Sequence, residues 1–533
     1  MPNVLSQLPD DVDTLKVLLA EQVARNAQIQ AEKTAADQQI VRLDAKVLSL
    51  QEQLNLALAR RYAASSEKLS PDQIRLFNEA EVDAPLEGDG TAEIDSGETV
   101  AVPAHNRKKG GRKPLPDTLP RVDIIHEIPE DQRHCPHDGQ ALTEINQVVS
   151  EQLDIVPAQI RVLRHIRKQY ACSCGQCIRT ALLPGQPIPK SMASPGLLAH
   201  IAVSKYQDAL PLYRQEQILQ RIGVDIPRAT LANWMIRCGQ LIQPLINLLR
   251  DQLLAYDLVQ MDETTVQVLK EPGKAAQSTS YLWLQRGGPP EEQVILFDYD
   301  PSRSQTVPKA LLEGFAGYLQ TDGYSGYHGV VAVNSLIHVG CMAHARRRFS
   351  EAVKGQGKNK RQGKAQQGLA WIQKLYRIEK QARTQHLSSS ERKAHRQQHA
   401  APILDNLREW LDASLPTVPP GTLAGKALNY LHNEWPKLIR YLEDGRLEID
   451  NNLAENAIRP FVVGRKNWMF SNSVHGVKAS ANLYSLVETA KANGLEPYGY
   501  LRQVFTTLPR AATVEDIESL LPWVLKKISA ETH

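Results

Sequence analysis

The chain has 533 residues, too many for one ordinary core, and length alone argues for roughly three to five structural units. Hydrophobic residues at 42% and charged residues at 23% exclude a wholly disordered chain. Sixty-two Lys and Arg stand against 59 Asp and Glu, a formal charge of +3, so overall charge announces no nucleic-acid partner and any such signal must be local. The opening MPNVLSQLPDDVD has no basic leader, and no apolar run approaches the roughly 20 residues that span a bilayer, so the expectation is a cytoplasmic protein without a membrane segment.

From Val12 the sequence steps by threes and fours through Leu15, Leu19, Gln22, Asn26, Ile29, Lys33, Ala36, Ile40, Leu43, Val47, Leu50, Leu54 and Ala57. No Gly precedes Gly88 and no Pro lies between Pro9 and Pro71, so one helix can carry this heptad seam. Asn26 and Lys33 at seam positions fix register, as a parallel homodimer wants; the alternative is a helix packing back on its own chain. Residues 1–75 therefore read as a coiled-coil dimerisation helix. The acidic, aperiodic stretch 76–105 reads as a linker.

Residues 106–190 read as a basic segment followed by a zinc-finger-like module. Arg107, Lys108, Lys109, Arg112 and Lys113 flank Gly110 and Gly111, a composition suited to a phosphate backbone or a narrow minor groove, or to a solvated linker. Cys135, Cys172, Cys174 and Cys177, with His137 or His134 as a substitute, form a thiolate-rich set suited to zinc. Asp138 stands where a paired C-x-x-C would place sulfur; the alternative is a β-rich module with reduced, unligated cysteines. Residues 191–250 read as helical and DNA-binding: LYRQEQILQRI, the turn GVDIPR and ATLANWMIRCGQLI have the order of a helix-turn-helix, with Thr230, Asn233 and Arg237 toward the groove.

Beyond Asp257 the patterns become strand-like: DLVQMDETTVQVL, YLWLQR and QVILFDYD suit an antiparallel meander. RSQTVPKALLEGF is helix-like, GYLQTDGY and SLIHVGCMAH are strand-like, and the last runs into the basic helix ARRRFSEAV. That order is similar to the ribonuclease-H-like fold. Residues 251–490 are thus expected to form a ribonuclease-H-like α/β core, interrupted by a Lys-, Arg- and Gln-rich helical insertion over 355–425, with a C-terminal helical region over 491–533. The whole is a multidomain α+β chain: coiled-coil helix, small cysteine-containing β-rich module, helix-turn-helix region and α/β core.

Asp262 falls in the first strand of that core and Asp322 at the end of the fourth, elements that lie side by side in such a fold. Glu455, spaced with Asn452 and Arg459 on one helical face, can close the site. Three carboxylates suit two Mg²⁺ ions, or Mn²⁺ in their place, the arrangement that activates water and neutralises charge in phosphodiester cleavage. Each has a simpler reading: Asp262 as a strand-end polar residue, Asp322 as a turn former before Gly323, Glu455 as a capping-box partner of Asn452. Glu263 rivals Asp262, and Glu448 and Asp450 rival Glu455; strand alternation lets only one of Asp262 and Glu263 line the site. His344, Arg346, Arg347, Arg348, Arg459, Arg465 and Lys466 are candidate phosphate contacts beside it. Cys341 and His344 form a C-x-x-H pair, but two ligands make no metal site.

The strings MDETTVQV, GYLQTDGYSGY, VGCMAHARRRF, LEIDNNLAENAIRPFVVGRKNWMF and ETAKANGLEPYGYL resemble the signature blocks of the DDE transposases of insertion sequence family 66, in order and spacing. Asn456, Met342 and Asp138 depart from the common pattern. The resemblance spans nearly the whole chain. It implies a catalytic triad at Asp262, Asp322 and Glu455, metal-dependent DNA cleavage and strand transfer, and double-stranded element ends and target DNA as partners. It also implies zinc in the cysteine region, and small accessory proteins of the same element. A bacterial protein that joins the nucleoid when bound to DNA is expected. A non-catalytic DNA-binding regulator and a structure-specific nuclease on the same fold are the alternatives.

Overall fold

A computed structural model describes residues 11–62, 160–171, 178–180, 185–356 and 363–531. The chain divides into two compact units, one of Met1–Ala84 with Pro184–His533 and one of Pro85–Leu183. In the smaller unit the described strands β1 (Gln169–Ala171) and β2 (Ile178–Thr180) pair antiparallel, with Gln169 opposite Thr180. The acidic linker, the basic cluster Arg107, Lys108, Lys109, Arg112 and Lys113, and the zinc candidates Cys135, His137, Cys172, Cys174 and Cys177 lie outside the described residues.

In the larger unit the seam residues form one 51-residue helix, α1 (Val12–Tyr62). Its apolar seam is exposed: Leu19, Leu43, Val47, Leu50 and Leu54 are each more than half open to solvent. The opposite face docks. Glu52 is buried and its carboxylate accepts the backbone N–H of Leu423 at 2.7 Å, Ser49 donates to the carbonyl of Gly421 at 2.9 Å, and Asn55 donates to that of Gly355 at 3.2 Å. The helix does pack on its own chain, yet through a polar stripe of its last turns, and the heptad face stays uncovered.

Helices α2 (Pro195–Tyr206), α3 (Leu212–Arg221), α4 (Arg228–Leu241) and α5 (Gln243–Ala255) follow. Ser194 caps α2 by accepting the N–H of Leu197 at 3.1 Å, with Pro195 at the first turn where a missing N–H costs nothing. Gly223, at φ +82°, turns the chain between α3 and α4.

The sheet comes next: β3 (Leu258–Lys270), β4 (Thr279–Gly287), β5 (Val294–Asp300), β6 (Tyr318–Gln320), β7 (Ile337–Val339) and the short β8 (Ser471–Ser473). Its order is β5-β4-β3-β6-β7, with β8 also pairing β3. β3, β4 and β5 form an antiparallel meander, while β6 and β7 run parallel to β3. The crossovers carry α6 (Thr306–Leu311) between β5 and β6, and α7 (His328–Val333) between β6 and β7. β7 leads into α8 (Met342–Gly355). The helical insertion then runs through α9 (Lys364–Thr384), α10 (Ser389–His399), α11 (Ala401–Ser414) and α12 (Leu423–Leu438). Its core joins α8 and β7 through Phe349, Leu375, Leu407, Leu431 and Val339. The chain returns to the sheet through α13 (Asn452–Trp468) and closes with α14 (Val474–Ala492), α15 (Pro497–Thr507), α16 (Val514–Glu518) and α17 (Pro522–Glu531).

Helix α14 is buried almost all round and explains how the sheet edge is protected. Ser485 accepts the N–H of Phe297 at 2.8 Å, and Thr489 accepts the N–H of Ile295 at 3.0 Å while donating to its carbonyl at 2.9 Å. Side-chain hydroxyls thus satisfy backbone groups that the edge strand β5 would otherwise leave bare. On its other side α14 meets α4 so closely that a Cβ on Gly239 would lie 2.6 Å from Ala479. Residues 191–250 therefore share one apolar core with the sheet, through Leu231, Trp234, Leu245 and Leu249, instead of closing a core of their own.

Candidate active site

Buried amides hold β3 and β6 in register. Gln260 donates to Gln320 across the two strands at 2.8 Å, Arg286 of β4 donates to Gln260 at 2.8 Å, and Gln320 donates to the carbonyl of Glu448 at 2.7 Å. The parallel register pairs Leu258 with Tyr318 and Gln260 with Gln320. Asp322 follows β6 by two residues, and its charge reaches the Asp262 carboxyl of β3.

The helix bearing Glu455 is tied to the same place. Asn451, 1% exposed, donates its side-chain amide to the carbonyl of Met261 at 2.8 Å and its backbone N–H to Sγ of Cys341 at 3.2 Å. That suture holds the start of α13 against β3, one residue from Asp262. Glu455 lies in the first turn of α13, and the helix has no side-chain cap, so the capping-box reading of Glu455 is not what the structure holds.

Electrostatics register the convergence. The Asp262 carboxyl is raised well above its ordinary value by burial first, then by the negative charges of Glu263, Glu455 and Asp322. Glu455 is also raised, by burial and by Asp450 and Asp322, with Arg347 and Arg459 opposing. Both are half-buried carboxylates facing others of the same sign, a set whose repulsion a divalent cation relieves. All the donors are oxygens, which fits Mg²⁺ or Mn²⁺.

The rivals are otherwise engaged. Glu263 is raised by burial and accepts hydrogen bonds from Tyr327 and Arg303, which occupy it although its charge still reaches Asp262 and Asp322. Asp450 accepts the hydroxyl of Tyr376 at 2.7 Å and the amide of Asn452 at 3.0 Å. Glu448 pairs with Arg392 at 3.0 Å. Asp322 does form the turn expected of it, accepting the N–H of Tyr324 at 2.9 Å through Oδ1; its carboxylate has a second oxygen, so turn and ligand roles are compatible.

The cations are distributed less simply than their clustering in sequence suggests. Arg347 lies 3.5 Å from Oε2 of Glu455, whereas Arg346 and Arg348 lie over the rings of Tyr376 and Tyr430, at 5.2 and 4.3 Å. Arg459 is close enough to lower the Glu455 carboxyl. Arg465 is spent on β3, donating to Thr264 and Thr265, and Lys466 is exposed. His344 places Nδ1 3.8 Å from Oε1 of Glu455, and burial with the neighbouring Arg347 pushes its imidazole down to about 4, so it is neutral. On α4, Asn233 and Arg237 are exposed and Thr230 is half-buried, opposite the face that packs in the core.

Sequence reasoning left Cys341 and His344 as an incomplete pair; the structure brings Glu455 to them, and the C-x-x-H spacing was the available signal. It also missed Asn451 and the Gln260–Gln320 bridge, since polar residues in a strand or before a helix carry no pattern that names their partner.

Raised carboxyls have a thermodynamic consequence. The native state binds protons more tightly than the unfolded chain at Asp262, Glu263 and Glu455, so their contribution to stability is greatest at acid pH and falls as pH rises through their native values. Mg²⁺ should reverse that loss: the expected rise in melting temperature on adding Mg²⁺ is larger above neutrality than at mildly acidic pH, and scanning calorimetry at both checks it.

No described helix is long and apolar enough to cross a membrane. Comparison with known proteins gives four family matches. The model described as transposase IS66 family covers residues 190–479, and the IS66 C-terminal element covers 485–523. The zinc-finger binding domain of transposase IS66 covers 132–175, which takes in Cys135, His137, Cys172 and Cys174 but stops short of Cys177. A model described as transposase C of IS166 homeodomain covers 49–124. The uncharacterized protein y4qI of Sinorhizobium fredii (strain NBRC 101917 / NGR234) is 31% identical over 547 residues, spanning 98% of each chain. From the same organism, the uncharacterized protein y4jD is 34% identical over 77% of this chain and 81% of its own. A family match over more than half the chain and a full-length relative agree: the chain belongs to the transposase IS66 family.

Proposed function

We propose that the protein is a DDE-type DNA transposase, with a ribonuclease-H-like core in which Asp262, Asp322 and Glu455 are the catalytic carboxylates. The observation that carries the reading is that these three residues, from β3, the end of β6 and the first turn of α13, lie within electrostatic reach of one another. The strand order β5-β4-β3-β6-β7, antiparallel then parallel, supports the fold assignment.

Asp262, Asp322 and Glu455 would hold two Mg²⁺ ions, which when bound supply an activated water and charge neutralisation at the scissile phosphate. Around them the chain's own groups position DNA. Arg347 and Arg459 flank Glu455 and favour its ionised form while offering charge to a phosphate oxygen. His344, neutral, can accept or donate a hydrogen bond to the sugar-phosphate backbone without adding charge.

The other parts take roles in binding. The basic segment with Arg107 and Lys108, and the α3–α4 hairpin with Asn233 and Arg237 outward, would bind the element ends. Cys135, Cys172, Cys174 and Cys177, with His137, would hold Zn²⁺. The uncovered seam of α1 would pair with that of a second copy, and accessory proteins of the element would complete the active complex. The regions 1–75, 106–190, 191–250, 251–490 and 491–533 are then the functional divisions of the chain.

The test uses labelled DNA from the borders of the gene, incubated with protein, Mg²⁺ and an unlabelled target. A transposase yields cut ends and, from them, products joined to target. Cut ends that are never joined would mark a nuclease, and binding without cutting a regulator; either outcome would overturn the proposal.

A further inference from the structure

Among the described residues, one group of metal-ligating side chains draws three donors tightly together: Cys341, His344 and Glu455, whose ligand atoms all lie within 4.8 Å of one another. Cys341 is the N-cap of α8 and His344 stands three residues on, so both rise from one side of its first turn; Glu455 meets them from the first turn of α13. Two of these groups are conspicuously unsatisfied. Nδ1 of His344 and Oε1 of Glu455 are buried, have no hydrogen bond, and face each other at 3.8 Å, too far to bond directly. Two ligands of one tetrahedral zinc stand roughly 3.4 Å apart, so small adjustments would seat an ion between them.

The third donor is prepared for the same ion. Sγ of Cys341 accepts the N–H of Asn451 at 3.2 Å, the kind of outer bond that steadies a coordinating sulfur. Sulfur, nitrogen and oxygen together form a set that Mg²⁺ does not choose and Zn²⁺ does.

We propose that Cys341, His344 and Glu455 form a zinc site that shares Glu455 with the catalytic set, so that zinc bound there withdraws the glutamate and holds the enzyme inactive. On binding, Cys341 releases its thiol proton to solvent, and no electrons are transferred. Ligation through Nδ1 leaves the imidazole proton on Nε2, at the expense of a long 3.4 Å contact with Arg347. Water fills the fourth position, since His344 and Glu455 are only partly exposed but reachable. The inhibitory effect rests on the catalytic reading of Glu455; the binding of zinc does not.

Cobalt reports the sulfur ligand directly. Co²⁺ is titrated into the full-length protein without DNA or Mg²⁺, and thiolate-to-cobalt charge-transfer absorption is recorded for wild type, Cys341→Ser, His344→Ala and Asp262→Asn. The amino-terminal cysteines are common to all four. In the thiolate-to-cobalt band, wild type and Asp262→Asn should show one sulfur-ligated equivalent more than Cys341→Ser, and His344→Ala should bind that equivalent at least about tenfold more weakly. Thermal melts identify any variant that fails to fold, in which case the other of Cys341→Ser and His344→Ala decides. Equal stoichiometry and equal spectra in wild type and both folded variants would overturn the site. In the cleavage assay, zinc added against excess Mg²⁺ should suppress wild type at least about tenfold more than Cys341→Ser. Equal suppression of the two would overturn the inhibitory role. Absence of cleavage in every metal, with the cobalt difference intact, would instead sink the catalytic reading alone.

Discussion

Asp262→Asn is expected to reduce Mg²⁺-dependent cleavage of element ends on the order of a thousandfold or more, because metal ligation contributes several kcal/mol and each 1.36 kcal/mol is a factor of ten. End binding should change little, since the carboxylate holds cations and not base edges. The same substitution should make the metal-free protein more stable. Asp262 is a half-buried carboxyl among Glu263, Glu455 and Asp322, and an uncharged amide of the same shape removes that repulsion. Gel-shift binding, cleavage and thermal denaturation measured together test the assignment. A variant that still cuts, or one that melts well below wild type without metal, would show that Asp262 has a structural task instead.

The second large effect lies in the insertion. Arg396 of α10 has no solvent exposure and meets Glu379 of α9 through two bonds, 2.8 Å from Nε and 2.7 Å from Nη2. Its remaining nitrogen donates to the carbonyls of Tyr441 and Asp444 at 2.9 and 3.1 Å, so the guanidinium ties the insertion to the segment leading to α13. Arg396→Ala leaves Glu379 charged, buried and alone, and should cost about 3–5 kcal/mol. Arg396→Met with Glu379→Leu should recover much of that loss, because a matched apolar pair removes the stranded charge. Urea denaturation of the three proteins checks both. Catalysis should suffer in Arg396→Ala as well, since the loop it anchors runs to Asn451 and Glu455.

The strands and helix that bear Asp262, Asp322 and Glu455 were legible because their signals are local. Alternation marks the second half of β3 and the continuous apolar run VILF marks β5, while Asp322 and Glu455 stand beside their own turn and helix signals, so each could be placed before its neighbours were known. What stayed hidden depends on partners remote in the chain. The apolar periodicity of α1 names its seam and says nothing about Glu52 docking on Leu423 through the other face. Residues 191–250 read as a separate helical region because an amphipathic face does not declare what covers it; α14, more than two hundred residues later, does. Arg346, Arg347 and Arg348 look alike in sequence, yet Arg347 lies 3.5 Å from Glu455 while Arg346 and Arg348 lie over the rings of Tyr376 and Tyr430. The third ligand to Cys341 and His344 arrives only after the entire insertion, beyond the reach of any spacing rule.

Helix α1 is held near its tail by three polar bonds and is uncovered along its apolar seam, so it projects like a lever from the body that holds the carboxylates. Its 51 residues extend about 75 Å. Were two such levers zipped together, the reach between the two carboxylate sites would follow from helix length and phase, much as a caliper's jaws follow its beam. Trimming α1 by whole heptads would then shift where a pair of DNA ends can be gripped at once, while leaving the chemistry at each jaw untouched.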